Sequence, residues 1–374
     1  MDELIRLRHE LHRNPNLSGN ERETAKRIKF FLNHYRPHEL HSDIAGEGMA
    51  AVYNSNEPGP TLLFRCELDA LQIQEKLNTP YNSKTWGVAH ACGHDGHMAM
   101  VSGLAITLKQ NPIKKGKVVL LYQPQSENGL GAKKSVKELE ALKIIPDFSF
   151  ALHNMPKYPM GSIILSNGTF ASASKGMVIK LTGTPSHAAY PESGNNPSLA
   201  IAEIIHELSS ITKSESFSSF VLATIIHVNV GEIAFGTSPG QGKIMITLRS
   251  FENKDMVELT NKITSLAKKI GVKHELAIEI STVDDFPATV PHKELTETLK
   301  DIALKTSREV IFLEEPNRWS EDFSHFTLKW PSILFGMGIG QEAKHLHSPN
   351  FNFPDEAIKH GVEFFDSITS RYLR

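Results

Sequence analysis

Among 374 residues there are only two cysteines, Cys66 and Cys92, so no disulfide framework can hold the chain together. A dominant charge is also missing. Forty Lys and Arg stand against 42 Asp and Glu, for a formal net charge of −2, and no long basic tract occurs. That argues against nucleic acid and anionic membrane surfaces as partners. No run approaches the ~20 apolar residues needed to span a bilayer. The N-terminus, Met1-Asp2-Glu3-Leu4-Ile5-Arg6, lacks the basic segment and apolar core of a signal peptide. The expectation is a soluble, cytoplasmic protein with no membrane contact. No internal repeat or low-complexity segment is evident. The composition, 40% hydrophobic and 22% charged, is that of an ordinary globular protein. At this length two domains are expected.

The densest chemistry lies in His90-Ala91-Cys92-Gly93-His94-Asp95-Gly96-His97, which sets three imidazoles, a thiol and a carboxylate around two glycines. An extended backbone would put Cys92 and His94 on one face. Gly93 and Gly96 would let the chain bend tightly around an ion. One cluster supplies too few ligands for a metal site, so further ligands are expected at the ends of strands.

Leu4, Leu7 and Leu11 predict a helix before Pro15, and a second helix is expected over residues 21–35. A strand at 61–64 leads into Arg65-Cys66-Glu67-Leu68-Asp69, where alternation places Glu67 and Asp69 on one face. A helix follows at 98–108. Strands at 117–122 and 147–152 lead to Glu127 and His153. Strands separated by helices predict a mixed, mostly parallel α/β sheet, whose ligands gather at the carboxyl ends of strands. The middle of the chain changes rhythm: strand about 175–183, helix 197–212, strands 220–230 and 243–250, helix 254–270, strand 273–280. This βαββαβ order predicts a ferredoxin-like domain inserted into the first. The boundaries are then 1–172 and 285–374 for the metal-binding catalytic domain and 173–284 for the inserted lid or dimerisation domain. A helix at 295–307, a strand at 332–335 and a closing helix from about 355 complete the first domain. Glu127, His153 and His347 are candidate ligands, although each alone would pass for a solvated carboxylate, a core histidine or a loop histidine.

The ordered set of segments 11–15 with Glu21, 65–71, 90–97, 123–132, 152–153, 186–189, 320–324 and 347–349 resembles the metal-dependent N-acyl-amino-acid amidohydrolases. That branch of the aminoacylase and glutamate carboxypeptidase-like metallopeptidases holds hippurate hydrolase, plant indoleacetyl-amino-acid hydrolases and bacterial N-acetyldiaminopimelate deacetylase. The resemblance covers nearly the whole chain. It implies a zinc-peptidase-like catalytic domain with Cys92, His94, Glu127, His153 and His347 as metal ligands, the Cys92 thiolate bridging two divalent ions. Metal-bound water would attack an N-acyl amino acid, releasing a carboxylic acid and an amino acid. Asp69 would orient a ligand. The resemblance favours manganese or zinc, while the donor types also admit nickel or cobalt. His187 matches a histidine that in this family reaches from the inserted domain of one subunit to the substrate of another, implying a homodimer. Arg249, in Thr247-Leu248-Arg249-Ser250-Phe251, is a candidate for the substrate carboxylate.

The chain departs from that pattern at several points. Gln123-Pro124-Gln125-Ser126-Glu127 puts Ser126 where the family carries its general base, and a serine hydroxyl does not accept a proton from water near neutral pH. Glu67 stands in place of aspartate, and Gly236-Thr237-Ser238-Pro239 in place of Asn-Val-Ile-Pro. Trp319 replaces a small residue. The leading expectation is an amidohydrolase. Two alternatives stand beside it: a catalytically impaired relative that binds acylated amino acids or peptides, and a dipeptidase or carboxypeptidase with the same site.

Overall fold

Two apolar runs, Leu62-Leu63-Phe64 and Val118-Val119-Leu120-Leu121, pair as neighbouring parallel strands at the centre of the first of two units in the computed structural model, which describes residues 1–213 and 215–374. The first unit comprises Met1–Phe170, Thr289–Pro316 and Glu321–Arg374, and the second Ala171–Ala288 with Asn317–Ser320. In chain order the first contributes α1 (Asp2–Arg13), α2 (Arg22–His34), β1 (Glu39–Ile44), β2 (Gly48–Asn54), β3 (Thr61–Glu67), α3 (His94–Gln110), β4 (Lys117–Gln123), α4 (Gly131–Ala141), β5 (Phe148–Met155) and β6 (Ile163–Leu165). The second follows with β7 (Ala173–Thr182), β8 (Ser186–His187), α5 (Ser198–Ile211), β9 (Val221–Val230), β10 (Thr237–Ser238), β11 (Gln241–Ser250), α6 (Asn253–Lys273) and β12 (Ala277–Phe286). The chain then returns to the first unit with α7 (Lys293–Lys305), β13 (Val310–Phe312), α8 (Ser324–Thr327), β14 (Ser332–Gly338) and α9 (Glu356–Leu373).

The first unit's eight strands lie in the order β1-β2-β4-β3-β5-β14-β6-β13. The central four, β4, β3, β5 and β14, are parallel, whereas β1 and β2 join antiparallel at one edge. Parallel strands buried on both faces read as continuous apolar runs, which is why they are legible. The hairpin of β1 and β2 and the three-residue strands β6 and β13 are not, because their residues neither alternate cleanly nor form long runs. Helix α3 is buried along most of its length and packs against α1 and α9. Among the described residues no helix is long and apolar enough to cross a membrane.

Three local expectations change. Helix α3 begins at His94 instead of 98, so Cys92 and His94 do not share an extended segment. The chain turns at Gly93, whose φ of 91° is left-handed and favours glycine. Gly96 does not bend the chain around an ion; it lies in the helix, where a Cβ would come within 2.5 Å of the Phe353 ring. Strand β5 runs on to Met155, so His153 belongs to the strand and does not follow it.

In the second unit, β7, α5, β9, β11, α6 and β12 give the βαββαβ order, with sheet order β12-β7-β11-β9 and every pair antiparallel. Burial alternates along β11, and Ile244, Ile246 and Leu248 pack with Ile204 of α5 and Leu259 and Ile263 of α6. Helix α6 runs through Lys273, so β12 starts at Ala277, later than the period of apolar residues suggests. The segment Asn317–Ser320 joins this unit through a bridge between Ala171 and Asn317 and through Arg249 Nη1, which donates to the Arg318 carbonyl at 2.7 Å and to Ser320 Oγ at 3.0 Å. Trp319 lies in that segment, its carbonyl accepting from the Ser172 N–H at 3.0 Å.

Candidate metal centre

The candidate ligands of the first unit converge at the carboxyl ends of its parallel strands. Donor atoms of Cys92, His94 and His153 lie within 4.8 Å of one another, and so do those of Cys92, Glu127 and His347. The two groups share only Cys92. Cys92 and His94 come from the turn into α3, Glu127 from the loop after β4, His153 from β5, and His347 from the loop after β14. That last loop is tied at both flanks: the His347 N–H donates to the Ala91 carbonyl at 2.8 Å, and the Lys76 N–H to the Pro349 carbonyl at 2.7 Å. His347 itself has a φ of 63°.

Hydrogen bonds orient the convergent imidazoles. His94 Nδ1 bonds the Asp69 main-chain carbonyl at 2.8 Å, turning Nε2 toward Glu127 Oε1 at 3.7 Å. His153 Nδ1 bonds the Asn154 carbonyl at 3.0 Å, turning Nε2 toward Cys92 Sγ at 3.6 Å. Glu127 Oε1 is buried without a hydrogen-bond partner. Burial pushes the Glu127 carboxyl up to about 7 and the Cys92 thiol up to about 12, and holds His153 down at about 3. An orphaned carboxylate oxygen, a thiol and three imidazoles, two of them with Nδ1 held by the main chain, form a donor set suited to borderline divalent cations.

A third group, Glu67, His94 and His97, is equally close. It is spent internally. His97 Nδ1 bonds Glu67 Oε2 at 2.7 Å, His97 Nε2 accepts from the Asn154 N–H at 3.1 Å, and the other Glu67 oxygen accepts from Arg65. Buried Arg65 also donates to Gln123 Oε1 and Glu321 Oε1, each at 3.0 Å, and to Asp322. The carboxylates keep Arg65 charged, and Arg65 with His97 holds Glu67 well below the usual carboxylate range against the opposing effect of burial.

Asp69 meets His94 chiefly through its main chain. Its carboxylate lies 3.6 Å from His94 Nδ1, whose hydrogen bond goes to the main-chain carbonyl instead. The carboxylate clamps the loop after β4: Ser126 Oγ donates to Oδ1 at 2.7 Å, while Ser18 Oγ at 2.7 Å and the Glu127 N–H at 2.9 Å donate to Oδ2. Glu21 holds the same loop, accepting from the Gln125 N–H at 2.7 Å. Ser126 is buried with its hydroxyl committed to Asp69. Periodicity could not have found the roles of Ser18, Glu21 and Asn154, since each depends on a contact distant in sequence.

Beside the cluster, His12 Nδ1 meets Asp95 Oδ2 at 2.8 Å and His12 Nε2 meets Glu75 Oε2 at 3.0 Å, while Arg8 also reaches Asp95 at 3.2 Å. Burial pulls His12 down, but ionised Asp95 and the bonds to Asp95 and Glu75 outweigh it and raise His12 to about 9. A raised folded-state value stabilises fully below the unfolded value of 6.5 and is lost as pH climbs through about 9. We therefore expect the metal-free protein to lose on the order of 2–3 kcal/mol between pH 6.5 and 9.5 through this residue. Urea unfolding at the two pH values checks it: His12→Gln should show a correspondingly shallower decline, and equal declines would contradict the assignment.

His187 and Arg249 lie in the second unit. His187 is exposed on the two-stranded ribbon of β8 with β10, its Nδ1 accepting from the Ala189 N–H at 3.0 Å. Strand β11 pairs Gln241 with Thr182 at the end toward that ribbon and Arg249 with Ser174 at the other. Eight residues at about 3.3 Å each put those ends roughly 26 Å apart. One small ligand cannot touch both side chains within a single chain.

A mixed α/β sheet with a thiol, three imidazoles and a carboxylate gathered at its carboxyl edge is the architecture of the metallopeptidase-like class. The chain belongs to peptidase family M20/M25/M40, whose sequence model matches residues 63–371. It is 30% identical to an N-acetyldiaminopimelate deacetylase of Lactobacillus helveticus, over 96% of this chain and 95% of that protein. It is 29% identical to the IAA-amino acid hydrolase ILR1-like 2 of Arabidopsis thaliana, over 100% of this chain and 86% of the relative. Among solved structures, the YXEP protein of Bacillus subtilis, a dinuclear metal-binding peptidase, superposes with a TM-score of 0.84 at 26% identity, covering 98% of this chain and 97% of that one.

Proposed function

We propose that this chain is a metal-dependent amidohydrolase that cleaves N-acyl amino acids into a carboxylic acid and an amino acid. The observation that carries the reading is the pair of ligand groups sharing Cys92, which gives one position with His94 and His153 and another with Glu127 and His347. Relatives named as a deacetylase of an acylated amino acid and as an indoleacetyl-amino-acid hydrolase support the substrate class, and the dinuclear neighbour supports two divalent ions, manganese or zinc first. Ions so held supply Lewis acidity toward the amide carbonyl and acidify a water. The chain's own part is positional. The main-chain carbonyls of Asp69 and Asn154 aim His94 and His153, and the Asp69 carboxylate locks the loop that presents Glu127. The hydroxyl at Ser126 donates to Asp69 and cannot take up a proton, so the proton must leave by another route.

The test is a panel of N-acetyl, benzoyl and indoleacetyl amino acids, with dipeptides beside them, incubated with purified protein and manganese, zinc or cobalt. Release of free amino acid from one acyl class is the expected result. Two bound ions with no turnover on any substrate would favour the impaired, binding-only relative, the reading to which buried Ser126 points.

We further propose that a second copy of the chain completes the site. Arg249 and His187 are too far apart within one chain to share a substrate, so one of them must serve another subunit's ligand. Edge strand β9 suits the contact: it carries no Lys, Arg, Asp or Glu and exposes Leu222, Ile225, Ile226 and Val228, whereas the opposite edge, β12, carries Glu279, Asp284 and Asp285. Unprotected edges of this kind pair with other strands. Ile226 falls at a register shift against β11, so Ile226→Lys spares the fold. Light scattering should show Ile226→Lys with Val228→Lys as a 41.6 kDa monomer where the parent is a dimer. A monomeric parent would end this part of the proposal.

A further inference from the structure

His97 has no role among the ligands, yet it is buried beside them and both its ring nitrogens are engaged. It lies one turn after His94 on the same face of α3, with ring centroids 5.6 Å apart. Strand β3 pairs with β5 only as far as Arg65 opposite Ala151, so beyond that point this edge of β5 has no strand against it. The Asn154 N–H points there and donates to His97 Nε2 at 3.1 Å. Because Nε2 accepts, the His97 proton is on Nδ1, where it is given to Glu67 Oε2 at 2.7 Å. Arg65 anchors the other Glu67 oxygen. The carbonyl of the same Asn154 accepts from His153 Nδ1 at 3.0 Å, which turns His153 Nε2 to Cys92 Sγ at 3.6 Å.

We propose that His97 is a positioning residue that, backed by Glu67 and Arg65, holds the Asn154 main chain so that His153 is fixed in its Nδ1–H tautomer with Nε2 aimed at the position shared with Cys92 and His94. Resting on the metal-centre reading, this adds to it an unequal dependence of the two ion positions on one histidine outside both. Position one, with His94 and His153, depends on His97; position two, with Glu127 and His347, is held by the loops after β4 and β14 and does not.

Two measurements test it. In the metal-free protein with 15N-labelled histidine, imidazole shifts at pH 7.5 should place both His97 and His153 in the Nδ1–H tautomer, and finding either in the Nε2–H form would overturn the proposal. In cobalt titrations followed by calorimetry and by the thiolate-to-cobalt absorption band, His97→Leu should weaken one of the two ions about 10–100-fold, the range for partners that orient a ligand, and leave the other within about threefold. His97→Gln, whose amide oxygen can accept from the Asn154 N–H, should recover most of that loss. Two unchanged affinities, two equal losses, or no recovery with Gln would each refute the role of His97. A parent protein that binds no metal at all would instead defeat the metal-centre reading.

Discussion

Cys92→Ala abolishes hydrolysis of N-acyl amino acids and lowers the affinity for both ions together. The physical ground is that Cys92 is the one residue common to both ligand groups, so its removal leaves each position a donor short. It also removes the one thiol of the group with His94 and His153, where two neutral imidazoles would remain. Losing a residue that merely orients a ligand costs about 10–100-fold in metal affinity, and losing a shared ligand should exceed about 100-fold at each position. Metal content after dialysis and turnover with saturating manganese or zinc are the measurements. Cys66→Ala is the control. Cys66 is buried in β3 outside every ligand group, so it should retain both ions. A Cys92→Ala protein that still turned over substrate would sink the proposed function.

Ser126→Glu raises the turnover of the parent by about 10²–10⁴-fold, the usual contribution of a positioned general base. The loop already holds position 126 against Asp69, and a glutamate there would stand between two further carboxylates, Asp69 and Glu127. Like charges at close range favour proton uptake, which is what a base near neutral pH requires. The gain has an opposing cost. Asp69 loses the Ser126 donor at 2.7 Å, worth about 1–3 kcal/mol of stability, so the variant should also melt earlier. Ser126→Ala separates the two effects: it carries the loss of the hydrogen bond without the carboxylate, and its rate should match the parent's. An unchanged rate in Ser126→Glu would mean that another group already takes the proton.

Much of the first unit could be read in advance because its parallel strands are apolar runs that end in polar residues. Of the five candidate ligands, Glu127 and His153 fall within a few residues of the ends of β4 and β5, Cys92 and His94 stand at the turn into α3, and His347 lies in the loop after β14. Less visible was how the ligands are aimed. Asp69 was expected to orient a ligand through its carboxylate; its main-chain carbonyl bonds His94 Nδ1 at 2.8 Å, while the carboxylate, 3.6 Å from that nitrogen, also holds the loop of Ser126 and Glu127. A side chain's type does not reveal whether its own backbone will serve first. His97 stood in a histidine-rich motif with no role assigned to it, and one turn of helix carries it to the Asn154 main chain, fifty-seven residues away in sequence.

What the sequence determined by itself was the donor inventory and its order: a thiol just before α3 and an imidazole at its first residue, a carboxylate after β4, an imidazole on β5 and another after β14. It also contained the βαββαβ rhythm of the second unit, since periods of two and of 3.6 residues are local properties. Only the tertiary structure decided which donors share a position, which histidine is spent on Glu67 and the Asn154 peptide, and that Arg249 and His187 stand at opposite ends of β11. Those facts depend on where strands end against one another and on which nitrogen carries a proton. Both are settled by hydrogen bonds between residues far apart in the chain, which no local pattern records.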